Sequence, residues 1–207
     1  NFPLILPLQM MMPFILEEAE ALKVAVSAFK QGQPIGDGIG PMVVGKMMLG
    51  TEKKTVALET VLSEKDYEGR KLCFLKAEGP AATVGKPADA LEKIISENKP
   101  DVIIMVDAAL KLEGEDTGSI AQGFGAAIGG VGTERFEIEG IATKNNIPIY
   151  AIVIKQSIKE AITLMKKEIA DSSDSVSSQV YDIIKSTTKT GQRVLIIGVG
   201  NTLGVSQ

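Results

Sequence analysis

The segment Asp101–Arg135 reads DVIIMVDAALKLEGEDTGSIAQGFGAAIGGVGTER. It begins with a continuous apolar run, VIIMV, which is typical of a central parallel strand buried on both faces. Two aspartates follow, Asp107 and Asp116, and then a glycine-dense loop that extends to Gly132. Glycine is needed where the backbone bends sharply or where another group approaches it closely. A strand that ends on an acid and opens into such a loop indicates a functional site.

Strands and helices alternate along the rest of the chain. Apolar runs predict further strands at 54–62, 70–77, 147–154 and 193–201, and helical spacing predicts helices at 13–30, 41–49, 88–98 and 134–144. Ser157 and Glu160 form a capping box that predicts a helix ending near Ile169, and another helix is predicted around 176–184. This pattern predicts a single α/β domain over residues 1–207. We expect a three-layer αβα sandwich with a mostly parallel central sheet, phosphorylase/hydrolase-like in architecture.

The composition excludes several classes of chemistry. The 207 residues contain no histidine and one cysteine, Cys73, which lies in an apolar strand. Catalytic arrangements and metal sites that depend on histidine are therefore excluded, and Cys73 is expected to be a buried structural thiol. The net charge is −4, and no cluster of Lys and Arg is present, which argues against nucleic acid as a partner.

The amino-terminal residues 1–16 are apolar but are interrupted by three prolines. The run is shorter than the ~20 residues of a membrane helix, and it lacks the basic start of a signal peptide. Because the chain does not begin with Met, it is consistent with a C-terminal fragment of a longer protein, and an upstream membrane anchor stays open. We expect a cytoplasmic location, or the cytoplasmic face of a membrane if such an anchor exists. Met10 to Met12 are expected in the core or an interface, and the protein is expected to be a homo-oligomer.

Three aspartates are the chemical candidates. Asp107 follows a predicted strand, at the edge where ligands of open α/β sheets bind. Asp37 lies between Gly36 and Gly38, and Asp116 begins a Asp-Thr-Gly string. Two close carboxylates cannot both ionise at low cost, so one holds a proton and the other can activate water. Each aspartate can equally serve as a turn or capping residue.

Two glycine loops, 123–129 and 198–204, have nucleotide-like spacing. A dinucleotide site requires a helix that starts at the glycines after a strand, and neither loop satisfies both conditions. Tight turns are the simpler interpretation of both loops.

Several segments resemble known families. DVIIMVDAAL, EDTGS, GGVGTER and NNIPIYAIVIKQSIKEAI resemble the germination protease of spore-forming bacteria in order and spacing. RVLIIGVGN and IGDGIGP resemble the first strand and following loop of that protease and of hydrogenase maturation proteases, but they occur here in the opposite order. The resemblance therefore implies a circular permutation. It also extends to an archaeal family with the same permuted order, whose longer members carry an amino-terminal membrane segment.

The resemblance implies roles for particular residues. Asp37 and Asp116 match the two functional aspartates of the germination protease. Asp37 and Asp107 match metal ligands of hydrogenase maturation proteases, whose third ligand is a histidine that this chain lacks. The supporting loop residues are Gly36, Gly38, Gly118, Gly198, Gly200 and Asn201. The permutation would place the last strand centrally, with its end against the Asp37 loop.

Three hypotheses follow from the sequence. The first is a peptidase-like hydrolase in which Asp37 and Asp116 activate water against a peptide or protein substrate. The second is a non-catalytic ligand-binding or scaffolding domain whose glycine loops hold an anion or metabolite. The third, compatible with both, is a divalent metal held by carboxylates, for which Mg, Mn or Ca is expected.

Overall fold

A computed structural model describes residues 5–125 and 133–206. The elements in chain order are α1 (Ile5–Gln31), a 3-10 turn (Gly36–Gly38), α2 (Ile39–Met47), β1 (Lys53–Ala57), β2 (Thr60–Tyr67), β3 (Arg70–Ala77), α3 (Pro87–Asn98), β4 (Val102–Leu110), β5 (Ile120–Phe124), α4 (Thr133–Lys144), β6 (Ile149–Gln156), α5 (Ile158–Ile162), α6 (Lys167–Thr187) and β7 (Arg193–Gly198).

The seven strands form one sheet in the order β1-β2-β3-β7-β4-β6-β5. The four central strands β3, β7, β4 and β6 are parallel, whereas β1 and β2 form an antiparallel hairpin and β5 runs antiparallel to β6 at the other edge. The last strand of the chain, β7, lies between β3 and β4. The predicted α/β architecture with a mostly parallel central sheet is confirmed.

Helices cover both faces of the sheet. On one face, α2 and α6 pack against strand residues that include Ile104, Val106 and Ile196. On the other face, α3 and α4 pack against residues that include Met105 and Ile197. Neighbouring residues of β4 and β7 thus point to opposite cores, which explains why VIIMV in β4 and VLII in β7 are apolar at every position.

Several predicted boundaries are wrong. The strand predicted at 54–62 is a hairpin, since a turn at Leu58 and Glu59 separates β1 from β2, and Glu59 has a positive φ of 48°. The helix capped by Ser157 ends at Ile162, and α6 is a separate helix that already begins at Lys167. The edge strand β5 was not predicted, and α1 begins at Ile5, so it continues through Pro13.

Part of the predicted glycine loop lies outside the described residues. Gly125 is described, but residues 126–132, including Gly129, Gly130 and Gly132, are not. Among residues 5–125 and 133–206, no helix has the length and apolar character needed to cross a membrane.

The start of α2 packs against the ends of β4 and β7 through glycine. A Cβ added to Gly40 would overlap the carbonyl oxygens of Val199 and Val106. Likewise, a Cβ added to Gly198 would lie only 2.7 Å from the Gly40 carbonyl oxygen. These backbones therefore touch directly, and this contact sets the position of the Gly36–Gly38 turn relative to the sheet.

Replacing Gly40 with alanine is expected to destabilise the fold by more than about 2 kcal/mol, since rigid backbone carbonyls would have to move apart. Gly140, in the middle of α4, is the matched control, because a Cβ there meets no atom within 4 Å. Gly140→Ala should stabilise the protein by about 0.5–1 kcal/mol through helix propensity. Urea denaturation of the two variants measures both effects, and equal stability of Gly40→Ala and wild type would refute the close contact.

Candidate functional site

A cavity of about 290 Å³ lies beyond the carboxyl ends of β4 and β7. Its lining combines one residue of the Gly36–Gly38 turn, one of β4, the start of α4 and the backbone after β7. The lining residues are Asp37, Val84, Asp107, Thr133, Glu134, Arg135, Val199 and Gly200. Ligands of open α/β sheets bind at this edge.

Asp107 is the first residue of β4 beyond its pairing with β7. The pairing of β4 with β7 ends at Val106 and Gly198, whereas the pairing with β6 continues to Leu110. The predicted strand therefore extends past Asp107 instead of ending there. The Asp107 side chain enters the cavity on the face covered by α4, and the residue is only 3% exposed.

Arg135, in the first turn of α4, is the charged partner of Asp107. Its Nε lies 2.5 Å from Asp107 Oδ2, and its Nη2 donates a 2.7 Å hydrogen bond to the Ala108 carbonyl oxygen. Asp107 Oδ1 accepts a 2.6 Å hydrogen bond from the Ala108 amide. The ion contact with Arg135 is the one interaction of Asp107 Oδ2 among the described residues.

Asp37 is the second aspartate in the lining of the cavity. Its Oδ2 accepts a 2.7 Å hydrogen bond from the backbone amide of Asn201, directly after β7. Gly200 has a φ of +133°, and a Cβ there would overlap the Asp37 carbonyl oxygen. The central last strand and the Asp37 loop therefore meet, although Asn201 and Asp37 are 164 residues apart in the chain.

Burial controls the protonation of both acids. Loss of hydration raises the pKa of Asp107 to about 7, against the opposing effect of Arg135, and the negative charge of Asp37 raises it further. Burial also raises the pKa of Asp37, while the Asn201 amide and the charge of Arg135 lower it. The charge of Asp37 is one of the causes of the raised pKa of Asp107, so the titration of Asp107 depends on the ionisation of Asp37.

Two buried polar atoms of the lining, Glu134 Oε2 and Arg135 Nη1, have no hydrogen-bond partner among the described residues. Burial also raises the pKa of Glu134. Buried polar atoms are normally hydrogen-bonded, and an unmade bond costs about 1–3 kcal/mol. Their concentration in one cavity therefore suits a polar ligand that offers both donors and acceptors.

Asp116 does not join this cavity. It is exposed and is not a lining residue. Its neighbour Thr117 donates a 2.8 Å hydrogen bond to Glu160 Oε1, and the Gly118 amide donates to the Lys155 carbonyl oxygen at 2.8 Å. The structure thus pairs Asp37 with Asp107 and leaves Asp116 and Gly118 at the end of β6.

The other predicted loop residues shape the Asp37 side of the cavity. Gly36 leaves no room for a Cβ beside Gln156 and Glu160, and a Cβ on Gly38 would lie 2.9 Å from the Asn201 carbonyl oxygen. The Asn201 side chain accepts a 2.9 Å hydrogen bond from the Leu203 amide, which fixes the turn after β7. These residues support the site through backbone packing.

The predicted metal site at Asp37 and Asp107 stays a prediction. Within residues 5–125 and 133–206, no group of three or more Asp, Glu, Cys or His side chains is arranged to hold an ion. Arg135 already places a positive charge beside Asp107, and it would repel a divalent cation at that carboxylate.

Comparison with known families identifies two matching family models. Residues 35–206 match the model described as the C-terminal domain of unknown function DUF1512, and residues 1–32 match the N-terminal domain of the protein of unknown function DUF1512. A crystal structure of a proteasome-assembly chaperone homologue from Mycobacterium tuberculosis matches with a TM-score of 0.47 and 12% identity, over 77% of this chain and 84% of that chain. No curated protein matches the chain.

These findings show that the resemblance to the germination protease and to the hydrogenase maturation proteases is wrong. The two DUF1512 models together span almost the whole chain, and no comparison points to either protease family. The quoted resemblance depended on short strings around strand ends, where many α/β proteins place Asp and Gly for general reasons of turn geometry. The implied circular permutation and archaeal origin have no support from the comparisons.

Asp107→Asn is expected to flatten the pH dependence of stability. In the wild type the folded state binds a proton with a pKa of about 7 and the unfolded state with a pKa of 3.8. The folded state therefore binds more protons between these values, and the free energy of unfolding falls as pH rises from about 4 to about 7. Asparagine cannot titrate, so this contribution disappears.

Urea denaturation in steps between about pH 4 and pH 8 measures the effect. Asp116→Asn is the control, because Asp116 is exposed, and its curve should run parallel to that of the wild type. If the curves of Asp107→Asn and wild type are also parallel throughout this range, the raised pKa of Asp107 is refuted.

Proposed function

The chain belongs to the DUF1512 family, and from the geometry of its cavity we propose a hydrolase in which Asp37 and Asp107 share a proton and activate water. The observation that supports the proposal most strongly is Asp107, which is buried beside Asp37 and has a pKa of about 7. An acid–base catalyst works best when its pKa lies near the working pH. The chain contains no histidine that could serve this purpose.

The two acids have different roles in this proposal. The Asn201 amide stabilises the ionised form of Asp37, so Asp37 is the base that accepts a proton from water. Asp107 is the acid that holds the shared proton. This replaces the predicted partner of Asp37, because Asp116 lies outside the cavity.

The proposed reaction cleaves an amide. As the water oxygen bonds to the carbonyl carbon, Asp37 takes one water proton and the carbonyl oxygen becomes negative. Asp107 then gives its proton to the departing nitrogen, the C–N bond breaks, and the carbonyl double bond re-forms. The products are a carboxylic acid and an amine, and the proton of the pair has moved from Asp107 to Asp37.

Arg135 supplies the hydrogen-bond donor that such a reaction needs at the carbonyl oxygen, which becomes negative. Its Nη1 is buried and has no partner among the described residues, so it is a donor available to a substrate. A preorganised donor at a developing oxyanion typically contributes about 10²–10³ in rate. Arg135 was not a candidate in the sequence, because nothing in the string GTER indicates a contact with a residue 28 positions earlier.

The size of the cavity limits the substrate. A volume of about 290 Å³ is near the lower end of small-molecule sites. It accommodates a small amide, or the part of a peptide around one carbonyl group. A peptide-like substrate therefore has to leave most of its length outside the cavity.

A second candidate function is the binding of a polar ligand without reaction. It is favoured by Glu134 Oε2 and Arg135 Nη1, which have no partner among the described residues and offer one acceptor and one donor to a bound molecule. Such a ligand would satisfy these atoms whether or not a bond breaks. A hydrolase and a binding protein differ in turnover.

Asp37→Asn and Asp107→Asn are each expected to reduce amide hydrolysis by at least about 100-fold, because each removes one member of the acid–base pair. Asp116→Asn should stay within about twofold of wild type, because it lies outside the cavity. Mass spectrometry of a peptide and small-amide library incubated with wild type identifies the cleaved substrate on which the variants are then compared.

Two results contradict the hydrolase. One is a cleavage activity that survives both Asp37→Asn and Asp107→Asn in folded protein. The other is a library compound that raises the melting temperature of the wild type, loses this effect in Arg135→Ala, and is recovered intact after prolonged incubation. The second result would support ligand binding instead.

A further inference from the structure

Helix α1 carries a continuous apolar stripe that the described part of its own chain leaves exposed. The stripe consists of Leu8, Met12, Ile15, Ala19, Leu22, Val26 and Phe29. All seven residues are exposed, and the six larger ones are exposed by 42–54%. The helix contacts the rest of the chain through a different face, that of Ala21, Ala25 and Ala28.

The spacing of the stripe is that of a coiled coil. Its members follow one another at alternating intervals of four and three residues, so they occupy the a and d positions of successive heptads. At 1.5 Å per residue, the 27 residues of α1 extend over about 40 Å. Pro13 falls at position b, outside the seam, where its ring does not obstruct a facing helix.

The charges beside the stripe select a partner and an orientation. Glu18 occupies position g and Lys23 the following e position. In a parallel pair of identical helices, g of one helix faces the next e of the other, so two Glu18–Lys23 pairs form across the seam. In an antiparallel pair, the two lysine-bearing edges would face each other and repel.

The two residues are available for this contact. Within the described part of the chain, neither Glu18 nor Lys23 forms an ion pair, and both are exposed. Glu18 also borders a groove between α1 and α5, which the face of Ala21 shares. It therefore lies between the side of α1 that packs on its own domain and the stripe.

We propose that α1 forms a parallel two-helix coiled coil with α1 of a second copy of this chain, with the stripe as its seam. The self-complementary charges at Glu18 and Lys23 favour a second copy over an unrelated partner. Over a lipid surface, Glu17, Glu18 and Glu20 would repel anionic headgroups beside the apolar residues. The inference is independent of the hydrolase proposal, since no stripe residue lines the Asp37–Asp107 cavity.

The test compares two equally exposed residues on opposite sides of α1. Leu22 lies in the seam and Val24 points away from it, and each is 54% exposed. Leu22→Glu should weaken dimerisation by at least about 100-fold, because it buries a carboxylate in the seam. Val24→Glu should leave the dimer unchanged. Analytical ultracentrifugation of the full chain over a concentration series measures the dissociation constants.

Charge reversal distinguishes a specific parallel pair from loose apolar association. Glu18→Lys and Lys23→Glu should each weaken the dimer by about threefold or more, and the double variant should recover wild-type affinity. The proposal is overturned if wild type is monomeric at about 100 μM, or if Leu22→Glu and Val24→Glu act alike. It is also overturned if the protein stays monomeric while cosedimenting with phosphatidylcholine vesicles.

Discussion

The insertion of β7 between β3 and β4 is the constraint on which the rest of the structure depends. This strand completes the parallel centre of the sheet, and its residues Val194 to Ile197 are fully buried between the two helical layers. Directly after its end, Gly200 packs against the Asp37 backbone and the Asn201 amide donates a hydrogen bond to the Asp37 side chain. The pairing of β7 with β4 stops at Val106, so the next residue, Asp107, opens towards the same space. One strand position therefore determines both the core and the cavity.

The environment of that cavity follows from opposing electrostatic effects. Asp107 is inside a sheet, where the loss of hydration is large, and a single arginine does not fully compensate for it. Asp37 lies nearby with its own raised pKa, so the two carboxyls are held at a protonation state that separate surface aspartates would not adopt. Strongly shifted acids in a cleft are more frequent at functional sites than elsewhere, which is the physical basis for the proposed chemistry.

The features that the sequence predicted are those that depend on local pattern. The apolar run of β4 predicted a buried parallel strand, and the apolar run of β7 predicted a strand. The capping box of Ser157 and Glu160 predicted the start of α5 correctly. The hairpin of β1 and β2 was missed because Thr60 and Val61 continue the β-type composition across the turn at Leu58. Strand β5 was missed because the sequence IAQGF is short and contains glycine, so its identity depends on pairing with β6.

The site was only partly accessible to sequence reasoning. Asp37 and Asp107 were candidates, because Asp37 follows a glycine and Asp107 follows the apolar run of a predicted strand. The partner predicted for Asp37 was Asp116, and that prediction depended on a family resemblance that is wrong. Arg135 and Glu134 have no local signal, because their importance arises from the packing of α4 over Asp107. The coupling between Asp37 and Asp107 is tested most directly by an NMR titration of the Asp107 carboxyl carbon in wild type and in Asp37→Asn. Asp107 should titrate near pH 7 in the wild type and at a lower pH in the variant, because the charge of Asp37 raises its pKa. Titration of Asp107 near its ordinary value of 3.8 in both proteins would contradict a shared proton.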